Sequence, residues 1–135
     1  MKIKILYSHY NTSINNLKAR PKWFDYEKCF NNFSYTIGGE EDIELHVIYD
    51  ITRGGVQQNW IKDFTNCVIH EIRGGSMFGA AKEMYRIAKE LSENMEDDDL
   101  FYFMENDYLH LNGSSFLNLS SKNSLGNLLF VQSIK

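Results

Sequence analysis

The spacing of apolar and polar positions divides the chain into alternating short and long segments. Residues 3–7, with Ile3, Ile5, Leu6 and Tyr7, form a β-branched and aromatic run of strand length, and the polar residues 8–16 after it read as a loop. In residues 22–33, Trp23, Tyr26, Phe30 and Phe33 recur at intervals of three and four, which predicts a one-sided helix, with Pro21 suited to its opening. Gly38 and Gly39 interrupt, and residues 43–49 predict a second strand ending at Asp50. After Gly54 and Gly55, residues 57–64 predict a short helix carrying Trp60, Ile61 and Phe64. Residues 67–72 read as a third strand closed by Gly74 and Gly75. Residues 77–93 give the longest helix, capped by Ser76, with an apolar stripe through Met77, Ala81, Met84, Ala88, Leu91 and on to Met95. An acidic loop at 96–99 leads into a wholly apolar fourth strand at 100–104.

Strands that alternate with helices, and that lack a clean period of two, predict an α/β fold. Its sheet is mostly parallel and covered by helices on both faces. In such sheets ligands bind beyond the C-terminal strand ends. The positions that matter are then 8–11, 50–55, 73–76 and 105–110.

Length and charge narrow the reading. A chain of 135 residues suits one domain, and a net charge of −4 disfavours a partner read through its phosphate backbone, so nucleic acid is not expected. Cys29 and Cys67 are far apart, make no metal-like pair, and read as reduced thiols. No apolar run is long enough for a transmembrane segment or a signal peptide, so a cytoplasmic location is expected. Residues 111–135 are rich in Ser and Asn and hold no Asp, Glu or His, with residues 128–131 the one strand-like run.

Three spots carry candidate chemistry. Glu105 and Asp107 flank Asn106 as the fourth strand ends; two carboxylates so spaced can converge on a hard cation, or simply decorate a polar turn. Asp50 can accept hydrogen bonds from a ribose or base, or make an Asx turn. Residues 73–76 lead into the long helix, whose N-terminus suits a phosphate or sugar, or is merely a capped turn. A phosphate loop is excluded there, because Ala80 and Ala81 stand where Lys and Ser or Thr belong. The acids at 96–99 lie at the wrong end of their strand and read as a solvated run. His46 and His70 fall mid-strand and read as packed.

Together Asn11, RPKWFDYEKCF at 20–30, the strand ending in Asp50, GGSMF at 74–78 and LFYFMENDYLH at 100–110 resemble the amino-terminal half of GT-A-fold glycosyltransferases of bacterial and phage type. The resemblance spans residues 3–110 and rests most on the last segment. It implies a Rossmann-like GT-A sheet binding a nucleotide-diphospho-sugar donor, with transfer of the sugar to an unknown acceptor. By it Asp50 contacts the nucleoside, Ser8 and Asn11 lie beside the nucleotide, and Gly75 and Ser76 face the donor sugar. Glu105 and Asp107 match the acidic motif that holds Mn²⁺ or Mg²⁺, with Asn106 replacing the usual central acid. His110 is the one late candidate for a catalytic base. Residues 1–110 would then be the nucleotide-sugar-binding domain, with 111–135 a short tail completing or capping a sheet cut off after the metal motif. Such an edge invites a second copy or a partner chain. A non-catalytic nucleotide-sugar-binding remnant and an α/β interaction domain are the alternative readings.

Overall fold

Four strands, β1 (Ile3–Tyr10), β2 (Ile43–Asp50), β3 (Val68–Ile72) and β4 (Leu100–Met104), make one sheet in the order β3-β2-β1-β4. Every neighbouring pair is parallel. The computed structural model describes residues 1–10, 22–38, 41–53 and 59–106. Helix α1 (Tyr26–Ile37) joins β1 to β2, a 3₁₀ turn (Asn59–Asp63) lies between β2 and β3, and α2 (Met77–Ser92) joins β3 to β4.

Side chains alternate across a strand, so each strand here presents two faces that both need cover. Ile3, Ile5 and Tyr7 of β1, Leu45, Val47 and Tyr49 of β2, and Tyr102 and Met104 of β4 pack against Phe30, Phe33 and Ile37 of α1 and Ile61 of the 3₁₀ turn. On the opposite face Leu6, Ile48 and Ile72 meet Ala80, Ile87 and Ala88 of α2, with Phe101 and Phe103 at the margin. The strand order explains why the helices take opposite faces. From β1 to β2 and β3 the chain advances in one direction, and from β3 to β4 it returns past β1. A right-handed crossover then lands on the other side of the sheet. The α/β sheet, its parallel strands and its two covered faces are therefore as the periodicity predicts.

The differences have local causes. Strand β1 runs on through Ser8 and His9 to Tyr10, because β2 extends to Asp50 and gives those residues a ladder. Residues 8–10 are thus strand, not the expected loop. Helix α1 opens at Tyr26 rather than at 22, since the Asp25 side chain accepts the Lys28 backbone N–H at 3.0 Å and caps it there. Trp23 consequently lies outside the helix and is 61% exposed, while the helix continues to Ile37. On α2 the buried line passes through Ala80, Met84, Ile87, Ala88 and Leu91; Met77, at 71% exposure, and Ala81 face outward. Cys29 is buried in α1, Cys67 just precedes β3, and neither forms a disulfide among the described residues. Pro21 and the tail 111–135, with its expected strand at 128–131, lie outside the described residues. Among the described residues no helix is long and apolar enough to cross a membrane.

The acidic loop is not uniformly solvated. Asp97 and Asp98 are exposed, but the Asp99 carboxylate is buried and accepts the backbone N–H groups of Glu96 and Lys2. Those two donors hold it below the usual carboxylate range.

His46 of β2 and His70 of β3 meet on the α2 side of the sheet, Nδ1 of the first 2.9 Å from Nε2 of the second. The other His46 nitrogen is 3.1 Å from Glu44, at an angle short of a good hydrogen bond. Glu44 also pairs with Lys4, while Arg86 and Glu90 of α2 act on His70. Burial pushes both imidazoles below the ordinary histidine value of 6.5. The folded chain therefore binds fewer protons than the unfolded chain once the pH drops through 6.5, and stability falls with it. Glu44 and Asp99 have lowered values, so their contributions are lost only further into acid, below 4.5 and 3.8. Thermal melts between about pH 7.5 and 5.5 should show falling stability in the wild type and a flatter profile in His46→Asn/His70→Asn. An unchanged slope in the double variant would contradict this assignment.

Candidate functional site

Because all four strands are parallel, Tyr10, Asp50, Ile72 and Met104 finish on one edge of the sheet. The strand order reverses between β1 and β4, and in open α/β sheets that reversal opens a crevice at the C-terminal ends.

Asp50 organises one side of this edge. It is 1% exposed, and its Oδ1 accepts three hydrogen bonds: from Thr52 N at 3.0 Å, Thr52 Oγ1 at 2.7 Å and Gly74 N at 3.2 Å. Thr52 Oγ1 in turn accepts Gly75 N at 2.9 Å, and Ile51 N reaches Ile72 O at 3.1 Å. The loops after β2 and β3 are thereby stitched together. The bond to Thr52 N makes Asp50 the head of an Asx turn. Its buried Oδ2 has no hydrogen-bond partner among the described residues.

The glycines allow the stitching. A Cβ on Gly74 would lie 2.5 Å from Ala80 N and 2.7 Å from Asp50 Oδ2, and one on Gly79 would lie 2.0 Å from Gly74 O. Gly75 adopts φ +69, in the left-handed region. Ser76 then caps α2 by accepting Gly79 N at 3.0 Å, as its sequence position predicts.

On the far side of β1 stands the end of β4. Tyr7 pairs with Met104, so Ser8 and Glu105 come next on the two strands. Ser8 is half-buried within β1, and Glu105 is exposed. Asn106 turns inward at 2% exposure, its Nδ2 without a hydrogen-bond partner among the described residues. Asp50 is level with Tyr10 and Glu105 with Ser8, so two strand spacings and two residues along β1 separate them, roughly 12 Å. Asp50, Gly75 and Ser76 therefore form one group, while Ser8 and Glu105 form another. Asn11, Asp107 and His110 lie outside the described residues.

Two contributors have no periodicity to announce them. Thr52 is visible only as the polar residue two after a strand-ending Asp. Arg53 folds back so that its guanidinium lies 4.1 Å from the centre of the Tyr10 ring. His9 is fully buried on the α1 side, packed against Tyr49 and Trp60 with ring centres 5.0 Å away in each case.

For a divalent cation, no group of three His, Cys, Asp or Glu side chains among the described residues makes a ready cage. Mg²⁺ and Mn²⁺ in phosphate sites need less: one or two carboxylates, with phosphate oxygens and waters completing the shell. The exposed carboxylate of Glu105 at a strand end fits that donor set. Comparison of the chain with protein-family models, curated proteins and solved structures yields no match.

The stitched loops can be tested by stability alone. Gly74→Ala forces a Cβ against two fixed neighbours and should cost about 2–3 kcal/mol, while Gly75→Ala, strained by its positive φ but meeting only Thr52 Oγ1 at 4.0 Å, should cost about 1 kcal/mol. Denaturant melts check the order. Equal costs would show that Gly74 is not packed this closely.

Proposed function

We propose that this domain binds a nucleotide-diphospho-sugar across the C-terminal edge of its sheet, through Mn²⁺ or Mg²⁺, and transfers the sugar to an acceptor hydroxyl. The observation that carries the reading is the reversal of strand order between β1 and β4, with an acid directly after β4. The distance across β1, roughly 12 Å, suits a ligand with a nucleoside at one end and a diphosphate at the other.

In this reading the unengaged Oδ2 of Asp50 accepts a hydrogen bond from the nucleoside, while Oδ1 keeps the loop in place. The capped start of α2 at Gly75 and Ser76 faces the donor sugar, and Ser8 and Asn11 flank the nucleotide. Glu105 and Asp107 hold the cation, which when bound supplies Lewis-acid stabilisation to the departing nucleoside diphosphate. The acceptor hydroxyl attacks the anomeric carbon as the bond to the diphosphate oxygen breaks, and His110 takes the hydroxyl proton.

Two carboxylates alone hold such cations weakly, so metal and nucleotide should bind together. Thermal shifts with UDP, GDP or dTDP plus Mn²⁺ should exceed the sum of the separate shifts for at least one nucleotide. Asp107→Ala should remove that excess while moving the unliganded melting temperature little, and Glu105→Ala should reduce it. A nucleotide shift unchanged by chelator would exclude the metal role. No shift with any of the three would leave the interaction-domain reading. Donor hydrolysis or transfer separates the catalytic reading from binding alone.

A further inference from the structure

We infer that Arg53 is a phosphate-binding residue of this edge, the fixed positive charge against which a diphosphate lies; the inference rests on the nucleotide-sugar reading above and adds a residue to it.

Arg53 is three residues past Asp50, yet its guanidinium lies over Tyr10, the last residue of β1. It therefore sits at the end of the strand that separates Asp50 from Glu105, where the middle of a ligand spanning the two must pass. Lys4, Lys62 and Arg86 are each paired with a carboxylate, respectively Glu44, Glu71, and both Glu83 and Glu90. Arg53 stacks on an aromatic ring instead, and among the described residues no carboxylate meets it. Stacking fixes the plane of a guanidinium but leaves its N–H fork at the rim, the geometry that grips a phosphate through two parallel hydrogen bonds.

Charge balance gives the reason for a cation here. Two carboxylates already cancel one divalent ion, so a diphosphate brought to that ion carries its own negative charge uncompensated. Arg53 supplies the compensation, and the N-terminus of α2 on the same edge adds to it. A lysine at 53 would keep the charge but lose the stack and the fork.

Calorimetric titration of the full chain with pyrophosphate plus Mg²⁺, and separately with UDP plus Mg²⁺, tests the assignment. Arg53→Gln should weaken pyrophosphate binding about tenfold or more, with the melting temperature nearly unchanged, and Arg53→Lys should fall between the two. Should Arg53→Gln disturb the loop, the Lys variant still decides, since it must bind pyrophosphate more weakly than the wild type. Pyrophosphate binding unaffected by either variant would overturn the role of Arg53, even if UDP binds and the nucleotide reading stands. Pyrophosphate binding lost in Arg53→Gln, with no nucleotide bound by the wild type, would support Arg53 while ending the nucleotide reading. A wild type that binds neither ends both.

Discussion

Parallel pairing of every strand is the constraint from which the rest of this structure follows. Parallel neighbours cannot be joined by a tight turn, so each connection must cross a face of the sheet to restart at the same edge. Both faces are covered as a result, and β1, paired on both sides, carries apolar side chains in both parities: Ile3, Ile5 and Tyr7 toward α1, Leu6 toward α2. The same constraint gathers the loops. All strands end together, so residues remote in sequence, such as Asp50 and Gly74, are brought within hydrogen-bond reach.

The two halves of that edge differ in physical character. Around Asp50, the hydrogen bonds to Thr52 and Gly74, and the close approach of Gly74 to α2, fix the backbone in place. An acid that spends one oxygen on three donors is held rigidly and can offer its second oxygen in a set direction. At the end of β4 the order is different: Glu105 is exposed and Asn106 is buried. A preorganised acceptor on one side and an exposed acid on the other suit a ligand whose own charged groups bridge them.

Much of the fold is legible in the sequence, because burial on both faces leaves apolar runs that two-sided strands require. What escapes is whatever depends on a partner distant along the chain. Ser8, His9 and Tyr10 look like loop until β2 supplies their ladder. The buried line of α2 passes through Ala80 and Ile87 rather than Met77 and Ala81, since its rotation is set by Ser76 capping Gly79 and by the Gly74 contact. Asp25 is legible as the cap of α1 from its type and position, whereas the aromatic spacing that includes Trp23 places the start of the helix too early. At the site, Asp50 and Glu105 stand out as strand-ending acids. Thr52 and Arg53 do not, because their partners, Gly75 and Tyr10, belong to other elements.

The central claim is that a metal-nucleotide complex sits at the C-terminal edge, across β1. Paramagnetic broadening of backbone amide signals by Mn²⁺ in the presence of UDP tests it most directly. The account predicts loss of signal at Glu105 and Asn106 and at Ser8 to Tyr10, with Thr52 and Gly75 shifted by the nucleotide, and no effect on Lys2, Asp42 or Asp99 at the opposite edge. Broadening centred on the acids at 96–99, or spread evenly over the surface, would contradict it.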